Sequence, residues 1–351
     1  FKPCTLMMRS MRRLRQARDL SALARLPIFQ VDAFAEKTFS GNPAAVLPLG
    51  AWLPDETLLS IAAENNLSET AFMLLRTDGS GDYDLRWFTP TLEVDMCGHA
   101  TLASGAVVLD VLSPAQDKVT FHTRSGPLVV RRGSACPISK CQYYTLEFPP
   151  WPVGALVQPP SRLVHAVGGR KLLSSEPASD QLLDRIDVDC SGTIDRLEHN
   201  DYLTKINDLP CSLLAVPWPV AAHEIAPMHG APYYLFLYES ETDVRSLAPI
   251  FGEMEANVVA TAPADAAVEG ELQYDFISRW FGPLSGIPED HVTGSAHTTL
   301  APFWAERLGK GSMVARQISH RGGTLRLALV EGCVHISGSA AFYLEGTIRL
   351  D

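Results

Sequence analysis

The chain contains an internal repeat. The segment YDLRWFTPTLEVDMCGHATLA at residues 83–103 has a counterpart in YDFISRWFGPLSGIPEDHVTGSAHTTLA at residues 274–301. Both segments run through Tyr-Asp, Arg-Trp-Phe, a proline two residues after the phenylalanine, an acidic residue, Gly-polar-Ala and finally Leu-Ala. A unit of this length is too long for a solenoid repeat, so it predicts two halves of similar architecture, each with a strand that leads into a central helix.

The helix expected at the end of the first repeat carries no charge. Its sequence, ATLASGAVVL at residues 100–109, offers no polar face wide enough for water. Such a helix is buried, so we expect sheet to wrap around it on most sides. The second helix, AHTTLAPFWAERLG at residues 296–309, is similar up to Glu306 but contains Pro302. Proline removes a backbone hydrogen bond, which predicts a kink or a late helix start.

A glycine followed by a polar residue stands before each predicted helix. Gly98 precedes His99, and Gly294 precedes Ser295. Glycine lets a ligand approach the free N–H groups of a first helical turn, where the helix dipole favours an anion. Two such helix starts at a domain interface would hold a carboxylated substrate between them. Taken singly, each glycine fits a tight turn, His99 a core histidine and Ser295 an N-cap; the duplication favours the ligand interpretation.

Short strands and a further helix are predicted around the first repeat. The helix is LPDETLLSIAAENN at residues 53–66, with Pro54 in its first turn. The apolar segment LSETAFMLLR follows, which places Glu69 where a helix has ended and a strand begins; a solvated turn residue is the alternative for Glu69. Alternating apolar residues and turn signals predict strands at residues 27–34, 44–49, 83–88, 118–123, 127–132 and 143–148.

Charge and cysteine content limit the classes of partner. The 351 residues carry a net charge of −11 and are 46% hydrophobic, a globular composition whose length favours two domains. Nucleic-acid and anionic-membrane sites need clustered Lys and Arg, so neither partner is expected. No uncharged run reaches the length of a membrane-spanning helix. Seven irregularly spaced cysteines fit a reducing compartment such as the cytoplasm better than a disulfide framework.

The first 26 residues differ in composition from the rest of the chain. They are rich in arginine, contain Asp19 as their one acidic residue, and start with Phe rather than Met. This segment resembles the end of an organelle transit peptide, although a solvated basic extension fits as well. We therefore expect the natural start to lie upstream, exclude residues 1–26 from the fold, and keep an organelle as the alternative to a cytoplasmic location.

Six motifs follow one another in the order found in a known family. They are SGNPAAVL, NLSETAFM, CGHATLASG, YDFISRWFGP, EDHVTGSAHTTLAPFWAERLGK and ARQISHRGGTLRL. Across residues 27–351, apart from insertions, they resemble the PhzF-like phenazine-biosynthesis isomerase family. The resemblance implies an α+β, diaminopimelate-epimerase-like fold of two pseudo-symmetric domains, here residues 27–149 and 150–351. Each would be a mostly antiparallel sheet wrapped around a central helix, with the active site in the cleft between the domains.

The resemblance also implies an activity and the residues that perform it. The glutamate of the family's N-L-S-E-T motif, here Glu69, is its proton-transferring acid/base. His99, Asp290 and Ser295 match residues that surround the substrate and assist the transfer. The best-understood member isomerises a dihydro-hydroxyanthranilate without metal or organic cofactor. We therefore expect a cofactor-independent isomerase of a small carboxylated metabolite, and a homodimer would fit the family.

This expectation is physically coherent. A carboxyl group in a closed, apolar cleft has a raised pKa and can both take and return a proton. His99 would hydrogen-bond a developing enolate oxygen, and the helix starts would stabilise the spread negative charge. Racemases of the same fold use two opposed thiols, which makes them the alternative to test. Cys97 stands at the first thiol position but Thr293 at the second, and a hydroxyl is too weakly acidic to replace a thiolate.

An insertion at about residues 171–222 interrupts the family pattern. Within it, DVDCSGTIDRLE matches a calcium loop of the EF-hand type, with Gly192 at the sharp turn. A solvated acidic loop is the alternative, and a single EF-hand tends to bind weakly. The insertion supports a second functional hypothesis, a calcium-binding interaction protein on an isomerase scaffold without turnover. The residues expected to bind Ca²⁺ are Asp187, Asp189, Ser191, Thr193, Asp195 and Glu198.

Overall fold

The structure is a computed structural model and describes residues 24–135, 141–168, 219–228, 231–267 and 272–350. None of the described helices is long and apolar enough to cross a membrane. These helices are α1 (Asp55–Asn65), α2 (Gly98–Val107), α3 (Ser161–Gly168), α4 (Glu241–Ser246) and α5 (Gly294–Leu308). A π-helical turn at Val108–Leu112 continues α2, and short 3-10 turns lie at Phe251–Glu253 and Pro283–Ser285.

The described strands are joined by hydrogen bonds into one continuous network, in which most neighbours are antiparallel. In chain order they are β1 (Ala24–Ala33), β2 (Asn42–Leu49), β3 (Glu69–Leu75), β4 (Tyr83–Phe88), β5 (Glu93–Val94), β6 (Lys118–Thr123), β7 (Gly126–Ala135), β8 (Gln142–Phe148), β9 (Val153–Val157), β10 (Ala221–Met228), β11 (Ala231–Leu237), β12 (Asn257–Pro263), β13 (Phe276–Gly282), β14 (Ile287–Asp290), β15 (Ser312–Gln317), β16 (Gly323–Val330) and β17 (Cys333–Leu350). The last described strand, β17, pairs with both β1 and β8, so it lies between the first described strand and a strand from the middle of the chain.

The same order of strand pairings occurs twice. In the first part of the chain β2 and β3 are parallel, β3 and β4 are antiparallel, and β4 pairs in parallel with β6. In the second part β11 and β12 are parallel, β12 and β13 are antiparallel, and β13 pairs in parallel with β15. Trp87 and Trp280 occupy the same place in the two registers, opposite the third residue of β3 and of β12. The repeat in the sequence therefore corresponds to a repeated strand order.

An arginine–glutamate pair lies at the same place in both repeats. Arg86 of β4 donates two hydrogen bonds of 2.8 Å to Glu93 of β5. Arg279 of β13 donates bonds of 2.8 and 3.0 Å to Glu289 of β14. Bidentate pairs of this kind stabilise the fold and also fix the orientation of the two strands that they join. Each pair joins a long strand to the short strand that leads to a buried helix, and so helps to fix where that helix begins.

Helices α2 and α5 are enclosed by the sheet. All ten residues of α2 are buried, as are the first eight of α5. This confirms the expectation from the uncharged sequence of the first helix, because a helix without a polar face has no side to present to water. Apolar side chains of both helices belong to one cluster of buried residues.

Helix α5 continues through Pro302. The prediction of a late start is wrong, because the helix already begins at Gly294. Pro302 cannot donate to the carbonyl of Thr298, which accepts a hydrogen bond of 3.2 Å from the backbone N–H of Trp151 instead. Trp151 thus satisfies the carbonyl that proline leaves without a partner. The loss of stability that a proline inside a helix usually causes is therefore reduced.

The first strand is longer than the sequence predicts. Strand β1 begins at Ala24, which pairs with Leu350 of β17, whereas the predicted basic extension reached residue 26. The predicted boundary rests on composition alone. Pairing between Ala24 and Leu350 extends the sheet beyond that boundary. The remaining predicted strands and the helix at residues 53–66 are confirmed within a few residues of their bounds.

Candidate active site

Glu69 lies at the junction between a helix and a strand. Helix α1 ends at Asn65, and Asn66 adopts the left-handed conformation with φ of 50°, which asparagine tolerates better than most residues. The chain then enters β3 at Glu69, which pairs with Ala44 of β2. The side chain is buried, since Glu69 is only 7% exposed. The predicted junction is confirmed, and the alternative of a solvated turn residue is wrong.

His99 lies beside Glu69 in the first turn of α2. Its Nε2 is 3.1 Å from Oε2 of Glu69, which is within ion-pairing distance. The pair lacks the geometry of a hydrogen bond, so both atoms are buried without a hydrogen-bond partner among the described residues. Buried polar atoms are nearly always paired. Because these two atoms contact each other only as an ion pair, each can still form a hydrogen bond with a ligand in the cavity.

Burial acts on both titratable neighbours of Glu69. It raises the pKa of the Cys97 thiol to about 11, and the charge of Glu69 adds to this effect. Burial by itself would lower the pKa of His99, but negative charge on Cys97 and then on Glu69 raises it well above its ordinary value. At neutral pH the burial of Cys97 therefore favours its neutral thiol.

Asn42 links the two parts of the chain at this site. Its Nδ2 donates hydrogen bonds to Oδ1 of Asp290 at 2.7 Å and to the carbonyl of Val292 at 3.0 Å, and lies 3.1 Å from Nδ1 of His99. Asn42 is fully buried. Asn42 is not among the residues predicted for the site, although it belongs to the motif SGNPAAVL. Membership of a motif was the one signal that could have identified it.

Asp290 is held by a second set of hydrogen bonds. Thr293 donates its hydroxyl to Oδ2 of Asp290 at 2.6 Å, and Gln317 donates Nε2 to the carbonyl of Asp290 at 2.9 Å. The backbone N–H of Thr293 donates to Oε1 of Gln317 at 2.8 Å. Gln317 likewise belongs to one of the family motifs, ARQISHRGGTLRL, but is not among the residues predicted for the site. Both oxygens of the Asp290 side chain are thus oriented by neighbours before any ligand is present.

The two helix starts contact each other through their glycines. A Cβ atom on Gly98 would lie 3.0 Å from Cα of Gly294, and one on Gly294 would lie 3.1 Å from Cα of Gly98. Such distances are shorter than most contacts that a Cβ atom makes, so glycine at both positions lets the helices approach this closely without displacing backbone. This close approach brings His99 and Ser295, the next residue in each helix, to the same cleft. The structure shows that these glycines form the contact between the two helices. Substrate binding by the same glycines remains a prediction.

All six predicted catalytic and substrate-binding residues line one cavity. Its volume is about 40 Å³ in this conformation, and its walls also include Cys97, Thr293 and Trp280. No lysine or arginine is among the lining residues that the structure describes. The predicted residues are Glu69, His99, Asp290, Ser295, Gly98 and Gly294.

The cavity does not favour two-thiol chemistry. The Cys97 thiol is buried and its pKa lies near 11, so little thiolate is present at neutral pH. Thr293, at the matching position of the second repeat, already donates its hydroxyl to Asp290. The residues needed to remove and add protons from opposite faces with two thiols are therefore not present together in the described site.

Two groups of residues have side chains that could bind a metal ion. Glu69, Cys97 and His99 each offer a ligand atom within 4.8 Å of the others. The predicted calcium loop lies outside the described residues and remains a prediction. Its residues are Asp187, Asp189, Ser191, Thr193, Asp195 and Glu198.

The chain is similar to a known protein family and to several of its members. The model of the family described as phenazine biosynthesis-like protein matches residues 31–153 and 221–346. An uncharacterized isomerase of Pseudomonas aeruginosa is 40% identical, with 93% of this chain and 99% of the relative covered. The phenazine biosynthesis-like domain-containing protein of Homo sapiens is 35% identical over 92% of this chain and 99% of its own length.

A solved structure agrees with these sequence matches. The phenazine biosynthesis protein of the PhzF family from Enterococcus faecalis is 31% identical and superposes with a TM-score of 0.68, covering 93% of this chain and 100% of that chain. The buried Glu69, the two helix starts at the cavity and these matches lead to one conclusion. The chain belongs to the phenazine biosynthesis-like protein family and is an enzyme of the isomerase type.

Proposed function

We propose that this protein is a cofactor-independent isomerase that moves a proton between carbon atoms of a small carboxylated metabolite. Glu69 is the acid/base, and His99, Asp290 and Ser295 bind the substrate and assist the transfer. The observation that carries the proposal is the buried Oε2 of Glu69, which faces the cavity without a hydrogen-bond partner among the described residues. Apart from the ion pair with His99 at 3.1 Å, this oxygen has no protein partner among the described residues, which leaves it available to a substrate carbon.

The proposed reaction has two proton-transfer steps. The Glu69 carboxylate removes a proton from an acidic carbon of the substrate, and the electron pair of that C–H bond moves into a conjugated enolate or dienolate. His99 donates a hydrogen bond to the developing oxyanion, which lowers the barrier because the donor is already fixed in place. Glu69 then returns the proton to a different carbon, which regenerates its carboxylate and leaves an isomer.

A single acid/base fits the differences between the two repeats. Asn257 is the first residue of β12 and holds the place that Glu69 holds in β3, since each strand starts beside a parallel neighbour in the same register. The amide of Asn257 cannot remove a proton from carbon. Cys97 is a neutral thiol and Thr293 stands at its matching position. Both side-chain oxygens of Asp290 already accept hydrogen bonds from Asn42 and Thr293. Glu69 is therefore the carboxylate in the described cavity that is best placed to take and return the proton, on one face of the substrate.

The lining of the cavity favours an anion that is bound by backbone N–H groups. Because no lysine or arginine lines the described cavity, a substrate carboxylate would be recognised by the free N–H groups at the starts of α2 and α5, where the helix dipoles favour negative charge. Trp280, Met96 and Ile287 supply apolar walls for the rest of the molecule. A compact metabolite with one carboxylate beside an unsaturated or ring system would match these features.

The size of the cavity suggests that binding requires opening. A volume of about 40 Å³ is much smaller than the roughly 300–1,000 Å³ of pockets that enclose small-molecule ligands. We propose that the repeated strand orders form two pseudo-symmetric domains, residues 27–149 and 150–351, and that they separate to admit substrate. Closure would then remove water from the cleft and bring Glu69 to the reacting carbon.

The test is exchange of the substrate's acidic hydrogen in heavy water. A library of small carboxylated metabolites is first screened for compounds that raise the unfolding temperature of the protein. For each hit, Glu69→Gln should fold normally and still bind, but should lose at least about 100-fold in exchange rate, the size expected when a general base is removed. Nuclear magnetic resonance of the substrate in heavy water measures the rate.

The control for this experiment is Glu64→Gln. Glu64 lies on the exposed side of α1, five residues from Glu69, so it undergoes the same chemical change outside the cavity. We expect exchange at the wild-type rate in this variant. Exchange at the wild-type rate in Glu69→Gln would contradict the assignment of Glu69 as the acid/base.

A further inference from the structure

Three different metal-binding side chains converge at the cavity. The ligand atoms of Glu69, Cys97 and His99 all lie within 4.8 Å of one another. Each residue is more than nine-tenths buried, and the side chains of Glu69 and His99 present atoms that have no hydrogen-bond partner among the described residues. The unpaired atoms point to a ligand, and the mixture of oxygen, sulfur and nitrogen points to its chemistry.

The spacing of these atoms is close to that around a tetrahedral zinc ion. Zinc binds sulfur at about 2.3 Å and nitrogen at about 2.0 Å, so the two ligand atoms of a tetrahedral site lie about 3.6 Å apart. Sγ of Cys97 is 3.5 Å from Nδ1 of His99. Oε2 of Glu69 is 3.1 Å from Nε2 of the same ring, where about 3.3 Å would be expected for oxygen and nitrogen ligands. These two distances run to different nitrogens of one ring, so zinc binding requires the imidazole to turn until a single nitrogen faces both Cys97 and Glu69, whose ligand atoms all lie within 4.8 Å of one another.

The ligand types select the metal. Magnesium and calcium prefer oxygen ligands, whereas a thiolate and an imidazole favour zinc and related transition metals. The site offers three protein ligands, and the fourth tetrahedral position would face the cavity, where water completes the shell. On binding, the thiol of Cys97 would release its proton to solvent, and a protonated His99 would do the same and bind as the neutral imidazole. The thiolate and carboxylate would together neutralise the 2+ charge.

We infer that this cavity binds zinc through Glu69, Cys97 and His99, and that the bound ion inhibits the enzyme by occupying the carboxylate that transfers the proton. Metal binding depends on the geometry alone, whereas the inhibition rests on the function proposed above. Cys97 is the residue that distinguishes the two roles, because zinc binding needs its sulfur and the proposed proton transfer does not use it.

The experiment measures metal binding without reference to turnover. Purified, chelator-treated protein is titrated with cobalt(II), a spectroscopic substitute for zinc, and the thiolate-to-cobalt charge-transfer band is recorded in the near ultraviolet. Zinc is then added to displace cobalt, and the unfolding temperature is measured with and without zinc. We expect the wild type to show the band, to lose it on addition of zinc, and to unfold at a higher temperature in the presence of zinc.

Two variants and one control decide the assignment. In Cys97→Ala the band and the zinc-dependent rise in unfolding temperature should both disappear, and in Glu69→Gln zinc should bind at least about tenfold more weakly, since each has lost a ligand. Cys333→Ala removes an exposed thiol far from these ligands in sequence and should behave as the wild type. If Cys97→Ala does not fold, the Glu69→Gln titration carries the test.

The inference is overturned if the wild type shows no cobalt band, or if Cys97→Ala or Glu69→Gln binds as tightly as the wild type. The hydrogen-exchange assay is run separately on chelated protein, so loss of the proposed function and loss of the zinc site are observed independently. Zinc binding without any exchange activity would keep the metal site and reject the isomerase mechanism. Exchange that zinc does not inhibit, despite zinc binding at these ligands, would reject the inhibition.

Discussion

His297 is a buried histidine outside the proposed chemistry. It lies in α5, where its Nδ1 is 2.8 Å from the carbonyl of Thr293 and its Nε2 is 3.4 Å from the hydroxyl of Ser278. Its ring stacks on Phe276. The backbone carbonyl can only accept a hydrogen bond, so Nδ1 carries the proton and the serine hydroxyl donates to Nε2. The neutral imidazole therefore satisfies both neighbours, and the pKa of His297 is lowered by burial to about 4.

This residue should make the fold sensitive to acid. In the unfolded chain a histidine has a pKa near 6.5, so between pH 6.5 and 4 the unfolded state binds a proton that the folded state does not. The contribution of His297 to the free energy of unfolding is therefore fully present above pH 6.5. It falls by about 3 kcal/mol as the pH is lowered to 4. Urea unfolding at a series of pH values measures the slope. His297→Asn should reduce the slope in this window.

The matched control for His297 is His122, whose side chain is 41% exposed. His122→Asn should leave the acid slope of the wild type in place. An equal change of slope in the two variants would show that the burial of His297 is not its cause.

At the scale of elements, the contact between α2 and α5 fixes the site. Their first residues, Gly98 and Gly294, touch backbone to backbone. Gly98→Ala would place a Cβ 3.0 Å from Cα of Gly294 and 3.3 Å from the backbone nitrogen of Ser295. We expect a loss of about 1–3 kcal/mol in the free energy of unfolding, as for other overpacked positions. Hydrogen exchange of the substrate should fall further than stability alone explains, because the helix starts move apart.

Gly311→Ala controls for the chemical change in Gly98→Ala. Gly311 follows α5, and a Cβ there would meet open space. This variant should unfold within about 0.5 kcal/mol of the wild type and retain full exchange activity. Wild-type stability in Gly98→Ala would mean that the helices do not approach as described.

At the scale of the whole molecule, a buried ion pair joins the two ends of the chain. Asp32 of β1 is 2% exposed and accepts a hydrogen bond of 2.8 Å from Nη2 of Arg321, which lies between β15 and β16. Arg321 also donates to the carbonyls of Ser40 at 3.1 Å and Gly41 at 3.0 Å, directly before Asn42. The pair thus anchors the segment that carries Asn42 to the second part of the chain.

Arg321→Met should destabilise the protein by about 3–5 kcal/mol, because it leaves the buried carboxylate of Asp32 without its counter-charge. Burial already raises the pKa of Asp32, and loss of Arg321 would raise it further. Since the protonated carboxyl tolerates burial, the destabilisation should be largest at neutral pH and shrink as the pH falls. Unfolding by urea at neutral and acidic pH measures both effects.

The control is the exposed pair between Arg162 and Glu255, which are 3.4 Å apart and more than half exposed. Arg162→Met should change the free energy of unfolding by less than about 1 kcal/mol at any pH. A pH-independent loss in Arg321→Met would indicate lost packing rather than an uncompensated charge.

The sequence by itself determined the elements whose cause is local. The uncharged run after Gly98 predicted a buried helix, and the change of pattern near Glu69 predicted a helix–strand junction, because periodicity and turn residues act over a few positions. The repeat predicted two halves of similar architecture, each with a strand that leads into a central helix, and the structure shows that a strand order recurs. The motifs, through family resemblance, named His99, Asp290 and Ser295, and the structure brings them to one cavity with Glu69.

Only the tertiary structure decided how these parts meet. Asn42 and Asp290 are 248 positions apart, and their hydrogen bond depends on the packing of α2 against α5 rather than on any local pattern. The same packing gave Gly98 and Gly294 a role as contact residues and placed Cys97 beside Glu69 and His99. A sequence records which side chains are available, but distances between remote segments follow from the close packing of the whole core, in which every element constrains the others.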